Sequence, residues 1–87
     1  MKCQLCQREK DLTFHHLIPR TLHSNKWFKK RYTKKEMSSR GIYVCQDCHD
    51  NMHKTYDEKT LGRLYNTLEL LLNDPKIIKF SKWISSK

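Results

Sequence analysis

The stretch CQDCHDNMH, residues 45–53, combines two cysteines with two histidines in nine positions. A second pair, Cys3 and Cys6, stands near the start of the chain, so the sequence holds two C-x-x-C motifs. Two such pairs predict one zinc ion held by four thiolates, with zinc–sulfur distances of ~2.3 Å. The alternative is two local disulfides, which this short spacing would strain. We therefore predict structural Zn²⁺ at Cys3, Cys6, Cys45 and Cys48.

The small size of the chain also favours a metal. Its 87 residues indicate one domain, residues 1–87, with only 37% hydrophobic residues. Domains this small bury about 60% of the surface that their unfolded chains expose, so many need a metal or a disulfide. The polar start MKCQLCQREK has no secretory pattern. We expect an intracellular protein, cytoplasmic or nucleoid-associated, with reduced cysteines. No apolar run reaches the ~18 residues of a membrane span, so no membrane partner is predicted.

The charge of the chain is strongly one-sided, with 18 Lys and Arg against 9 Asp and Glu. Such an excess favours a polyanionic partner, with nucleic acid ahead of an anionic membrane surface. Residues 20–40 hold eight basic residues and one acid, with aromatic residues between them. The alternative is a solvated helical face over a few core aromatics. The predicted nucleic-acid contacts are Arg20, Lys26, Lys29, Lys30, Arg31, Lys34 and Lys35.

Residue patterns predict two short strands and a helix around the second cysteine pair. Residues 11–16 (DLTFHH) and 41–45 (GIYVC) predict the strands. A helix from Asp47 to about Thr55 would place His49 and His53 on one face, one turn apart.

The last third of the chain predicts helices. Residues 57–73 carry leucines at helical spacing and predict one helix. Asp74 followed by Pro75 predicts the start of another helix. We interpret the leucines as packing surface, and a dimer interface or a protein-interaction surface is the alternative.

Two histidine groups predict a second metal site. Successive strand residues point to opposite faces, so His15 can turn toward His49 and His53 while His16 does not. Three imidazoles would leave positions open for water and substrate, and His16 would stand beside the metal as a base. The alternative is that His49 and His53 pack or cap their helix, with no second metal.

These motifs resemble the HNH endonuclease family. FHHLIP, residues 14–19, is similar to the first-strand motif [DH]H-x-x-P, and CQDCHDNMH is similar to the closing CxxCHxxxH. The two C-x-x-C pairs are similar to the zinc-bound subgroup. The resemblance covers residues 3–54 and implies an α+β fold. That fold would be a small zinc-stabilised ββα-metal (His-Me finger) core, with additional helices in a C-terminal extension at 57–85.

The resemblance implies roles for the histidines. His15, His49 and His53 would bind the catalytic metal, and His16 would be the general base. The ion would be Mg²⁺ or Mn²⁺, although three imidazoles also suit Zn²⁺ or Ni²⁺. One departure is Arg40, which stands where the family usually has an asparagine that orients the base. Its predicted role is phosphate contact or base orientation.

The implied function is that of a divalent-metal-dependent HNH endonuclease that hydrolyses phosphodiester bonds in double-stranded DNA. A monomer or weak dimer would nick one strand per site, with weak sequence specificity. The alternative is a non-catalytic, zinc-stabilised nucleic-acid-binding module, which would leave the adjacent histidines unexplained.

Overall fold

The computed structural model describes residues 1–87 and has an α+β architecture, with six α-helices and one two-stranded antiparallel sheet. In chain order the elements are β1 (Leu12–His16), a 3₁₀ turn (Arg20–Leu22), α1 (Lys26–Arg31), α2 (Lys34–Ser39), β2 (Gly41–Cys45), α3 (Gln46–Thr55), α4 (Glu58–Leu64), α5 (Leu68–Leu72) and α6 (Pro75–Ser85). None of the helices combines the length and the apolarity needed to cross a membrane.

Both predicted strands are confirmed as β1 and β2. Their register gives the two histidines of β1 different partners on β2. His15 lies opposite Ile42 and His16 lies opposite Gly41. A Cβ atom on Gly41 would come 2.0 Å from Cζ of Phe14, so the Phe14 ring occupies the space above a glycine. His15 is buried while His16 is half-buried, as expected for neighbours on opposite faces.

Helix α3 begins one residue before the predicted start and continues directly from β2. Its buried residues, Cys48 and Met52, face the main core, where the helix packs against α6 and the sheet. The two residues are four positions apart and therefore lie on one helical face. Helix α3 thus places Cys48 in the main core. It also carries His49, the next residue in sequence, which is half-buried.

The single helix predicted for residues 57–73 is wrong, because the structure has α4 and α5 with a break at residues 65–67. The buried Asn66 amide donates to the Gly62 carbonyl oxygen at 3.0 Å and to the Tyr32 hydroxyl at 2.9 Å. The Thr67 hydroxyl then accepts from the Leu70 N–H at 3.1 Å and caps α5. These side-chain hydrogen bonds satisfy backbone groups that a continuous helix would have used.

A second, smaller core lies beneath the basic segment. Ile18, Phe28 and Met37 are fully buried there. Helix α4 approaches this core closely, since a Cβ atom on Gly62 would lie 2.9 Å from Leu22 and 3.1 Å from the Phe28 ring. A glycine at this position therefore lets the C-terminal helices pack against the segment that carries eight of the 18 basic residues.

The predicted start of α6 at Asp74 is confirmed. The Asp74 carboxylate accepts from the Ile77 N–H at 3.1 Å and, at 2.8 Å each, from the hydroxyls of Tyr56 and Tyr65. Burial raises the pKa of this carboxyl, but the hydrogen bonds outweigh burial, so its pKa lies below the usual value. One carboxylate thereby joins the ends of α3 and α4 to the start of α6.

Two candidate metal centres and a basic surface

The four cysteines form one buried cluster. Cys3 and Cys6 precede β1, Cys45 ends β2 and Cys48 lies in the first turn of α3. Their four sulfur atoms all lie within 4.8 Å of one another, and the Cys6 and Cys45 sulfurs are 3.7 Å apart. A tetrahedron with metal–sulfur bonds of ~2.3 Å has edges of about 3.8 Å. All four thiols are free, so the cluster can hold a zinc ion, whereas the disulfide alternative does not match this geometry.

Arg8 supplies positive charge beside this cluster. Its guanidinium donates to the sulfurs of Cys6 and Cys45, at 3.4 Å each, and to the Asp47 carboxylate at 2.8 Å. Burial raises the pKa of the Cys6 thiol, but the contacts with Arg8 outweigh it and lower the pKa to about 7. Burial raises the pKa of Cys48, which Arg8 does not touch. Arg8 therefore favours the thiolate forms that a metal requires.

The three predicted metal-binding histidines lie together. The His15 ring centroid is 5.2 Å from that of His49 and 5.4 Å from that of His53, and the last two are 5.1 Å apart. One ring nitrogen from each lies within 4.8 Å of the others. His15 is buried, His49 half-buried and His53 exposed, so the group opens from the core to the surface. Their roles as ligands stay predictions.

His15 is the most unusual histidine of the chain. Its side chain is 1% exposed, and neither ring nitrogen has a hydrogen-bond partner. Burial, with smaller contributions from the neighbouring His49 and His53, lowers its pKa to about 3, so the imidazole is neutral. An unsatisfied buried polar group costs about 1–3 kcal/mol. A bound cation would accept the free lone pair of a neutral imidazole, so the group fits a metal ligand.

Thr13 determines which nitrogen of His49 is available. Its hydroxyl donates to the Val44 carbonyl oxygen at 3.1 Å and lies 2.7 Å from Nδ1 of His49. A hydroxyl has one proton, so Nδ1 must donate to Thr13, and Nε2 keeps its lone pair for a ligand. Thr13 was not among the residues predicted for the site, although it lies two residues before His15 on the same strand face.

His16 stands on the opposite strand face and makes no hydrogen bond within the chain. Its ring packs edge-on against Phe14 at 4.8 Å between centroids, and 6.0 Å from His23, which hydrogen-bonds the Ile18 carbonyl oxygen through Nε2 at 2.7 Å. Burial lowers the pKa of His16, and the nearby His23 and Arg20 add to this effect. Packing rather than a hydrogen bond holds its orientation.

His16 shares one cavity of about 210 Å³ with two of the three clustered histidines, and His15 does not line it. His16, His49 and His53 line it together with Arg20 and Glu58. Glu58 is the one acid in this lining, and its carboxylate hydrogen-bonds the Thr21 hydroxyl. Glu58 was not predicted to lie here, because it belongs to α4 and no local pattern connects it with the histidines. The cavity therefore combines imidazoles, a guanidinium and a carboxylate.

Arg40 makes contacts that tie it to the fold. Its guanidinium donates to the Asn66 carbonyl oxygen at 3.0 Å and lies over the Tyr32 ring at 5.2 Å. Its own carbonyl accepts from the Leu17 N–H at 3.0 Å. Neither group contacts His16, and phosphate contact by Arg40 stays a prediction.

The seven basic residues predicted to contact nucleic acid are all exposed. Arg20 lines the histidine cavity, and Lys29 and Lys34 line a second cavity of about 400 Å³. The Arg31 guanidinium lies 3.8 Å from the centre of the Trp27 ring. The only ion pairs of the protein join Arg8 to Asp47 and the terminal amine to Glu9, so none of the seven is neutralised by an acid.

Comparisons with known proteins place the chain in no family. No protein-family model matches it, and neither the curated proteins nor the solved structures include a match.

Proposed function

We propose that this protein is a zinc-stabilised, divalent-metal-dependent DNA endonuclease of the HNH type. The observation that carries the proposal is the His15 imidazole. Both of its ring nitrogens are buried without a partner, and its centroid lies 5.2 and 5.4 Å from those of His49 and His53. Such a group is costly in a protein interior unless a ligand uses it.

The order of the elements supports this proposal. β1 supplies His15 and His16, β2 returns antiparallel to it, and α3 follows at once with His49 and His53. This is the strand, loop, strand and helix order that the HNH resemblance implies for a ββα-metal core. The four-cysteine cluster lies where β2 passes into α3 and would fix the direction of the helix.

His15, His49 and His53 would hold the catalytic cation. Three imidazole donors favour Ni²⁺ or Zn²⁺, while Mg²⁺ and Mn²⁺ prefer oxygen ligands. When bound, the ion supplies Lewis-acid polarisation of the phosphoryl oxygen. The neutral state of His15 and the Nδ1–H tautomer of His49 prepare both rings as ligands before any ion arrives.

His16 would act as the general base. It lines the same cavity as His49 and His53, and neither of its ring nitrogens is hydrogen-bonded within the chain. One of these nitrogens would take the proton of the attacking water. Arg20, which lines this cavity and is exposed, would contact the phosphate with its guanidinium donors.

A non-catalytic nucleic-acid-binding module is the second candidate. The absence of a hydrogen bond that orients His16 favours it, because a base without an orienting partner is poorly positioned for proton transfer. The exposed basic residues serve this function equally well.

Relaxation of supercoiled plasmid tests the endonuclease. Zinc-loaded protein would be incubated without further metal, and then with Mn²⁺, Mg²⁺ or Ni²⁺. We expect open circles only with added metal. His16→Ala should lower the rate by about 10²–10⁴-fold, the usual contribution of a general base.

Binding and stability serve as controls for that variant. His16→Ala should keep its affinity for duplex DNA and its bound zinc, because His16 is neither one of the predicted nucleic-acid contacts nor part of the four-cysteine cluster. If wild type and variant bind the plasmid and leave it supercoiled with every metal, the endonuclease is excluded and the binding module is favoured. Equal nicking by both proteins would exclude His16 as the base.

A further inference from the structure

Two arginines from different parts of the chain share one indole ring. The Arg31 guanidinium lies 3.8 Å from the centre of the Trp27 ring, and the Arg63 guanidinium lies 4.4 Å from it. Trp27 and Arg31 belong to α1, one turn apart, whereas Arg63 belongs to α4. Each cation–π contact contributes only about 0.5–1 kcal/mol at an exposed site. The arrangement therefore brings two positive charges close together, and their contacts with the indole stabilise them only weakly.

The surroundings of this pair are basic. Trp27 and Arg63 line an open cavity of about 320 Å³ together with Lys59, Thr60 and Leu64. Lys59 and Arg63 are four residues apart, so they lie on one face of α4. No carboxylate lines this cavity or pairs with these residues.

Helix α4 also connects this surface with the histidine cavity. Glu58 lines the histidine cavity and bonds Thr21, while the next residue, Lys59, lines the basic cavity. The first turn of α4 therefore forms the border between the two cavities. A polyanion that enters the histidine cavity has this basic surface beside it.

We infer that Lys59 and Arg63 of α4, with Arg31 of α1, form a clamp for the phosphate backbone of duplex DNA. This inference rests on the proposed function and adds a role for residues beyond the HNH resemblance. The Arg31 guanidinium donates one N–H to the Trp27 carbonyl oxygen at 3.0 Å, which helps to fix its position over the indole. Its remaining N–H groups and those of Arg63 are left for phosphate oxygens. A base could stack on the indole only by displacing an arginine, so the clamp reads backbone and not sequence.

Salt-dependent binding of Arg63→Ala tests the clamp. Affinity for two duplexes of unrelated sequence would be measured by fluorescence anisotropy between 50 and 200 mM salt. Loss of one phosphate contact should make the plot of log affinity against log salt shallower by about 0.9. The loss should be equal for both duplexes. Arg63 is exposed and loses only one weak contact with Trp27, so the variant should stay folded, with a melting temperature within about 5 °C of the wild type.

Two further variants make the result specific. Lys79→Ala removes one positive charge from α6, which lines a different cavity, and should leave the slope unchanged. Arg63→Lys keeps the charge without the planar fork and should retain the slope while weakening the affinity.

The outcomes separate the clamp from the proposed function. If wild type binds DNA and Arg63→Ala has the same slope and affinity, the clamp is wrong and the endonuclease stands. Equal losses in Arg63→Ala and Lys79→Ala would show a general charge effect and would also overturn the clamp. A loss for only one duplex would indicate base readout instead. If wild type binds neither duplex at 50 mM salt, the proposed function fails with the clamp.

Discussion

The two candidate metal centres share helix α3 and differ in nearly every physical respect. The four cysteines are all buried with their sulfurs within 4.8 Å of one another, and two of them, Cys6 and Cys45, receive hydrogen bonds from Arg8. The three histidines pass from buried His15 to exposed His53, and the outer two, His49 and His53, line an open cavity. A closed set of four ligands suits a structural ion, while three ligands beside open space suit an ion that must meet a substrate.

Two residues that are neighbours in sequence can belong to different candidate metal centres. Cys48 and His49 are adjacent in α3, yet the first is 1% exposed and the second is half-buried toward the cavity. Rotation of about 100° per residue along a helix is enough to separate them.

Cys48→Ser should produce the largest effect. Apparent binding energies for structural zinc are about 10–16 kcal/mol in small zinc domains, and this energy is folding energy. The variant should lose bound zinc and its cooperative thermal transition, measured by a colorimetric zinc assay and near-UV circular dichroism. His53→Ala is the matched control, because it alters the exposed end of the other centre. A folded, zinc-free Cys48→Ser protein would contradict the role of the cluster.

His15→Leu should have effects of opposite sign with and without a second metal. In zinc-loaded protein without further metal, removal of the unsatisfied ring nitrogens should stabilise the fold by about 1–3 kcal/mol. Added Ni²⁺ or Mn²⁺ should raise the melting temperature of wild type by mass action and leave the variant unchanged. Differential scanning calorimetry would measure both. An equal metal response in the two proteins would exclude a three-histidine site.

Thr13→Val should weaken metal binding at the histidines alone. Loss of the hydroxyl frees His49 to adopt the other tautomer, and loss of such an outer partner typically costs 10–100-fold in metal affinity. Ni²⁺ titration by calorimetry would measure this loss, and zinc content at the cysteines should not change. Thr13→Ser keeps the hydroxyl and is the control. Equal affinities for Thr13→Val and wild type would show that Thr13 does not set the tautomer.

Asp74→Asn should produce the smallest effect, and only above acidic pH. The pKa of Asp74 is lowered in the folded state, so its stabilisation is present above the unfolded value of about 3.9 and is lost as pH falls through the folded value. Near pH 7 the variant should be less stable by about 1 kcal/mol. The difference from wild type should vanish at low pH, as measured by urea unfolding. Asp11→Asn, an exposed acid without a hydrogen bond, should show no such difference at any pH.

Local patterns in the sequence were enough to predict both strands, α3 and the start of α6. Each depends on neighbouring residues, such as the alternation in β1 or the Asp74–Pro75 pair. The four-cysteine cluster was also predictable, because two C-x-x-C pairs supply the four ligands of one zinc ion even when they lie far apart in sequence.

Contacts between distant residues escaped prediction. The break between α4 and α5 depends on the bond from Asn66 to Tyr32, which are 34 residues apart. Glu58 reaches the histidine cavity only because α4 packs against the 3₁₀ turn. Leucine spacing contains no information on either contact, so the sequence predicted one long helix and no acid in the cavity.

The four-cysteine cluster has a consequence for a chain cut in two. Cys3 and Cys6 stand on one side of the exposed lysines of α2, and Cys45 and Cys48 stand on the other. β1 likewise precedes these lysines in sequence, and β2 follows them. A single tryptic cut after Lys34 or Lys35 would therefore leave two fragments that separate on a denaturing gel and still migrate together in native buffer. Zinc would hold the two peptides together reversibly, and its removal would release them.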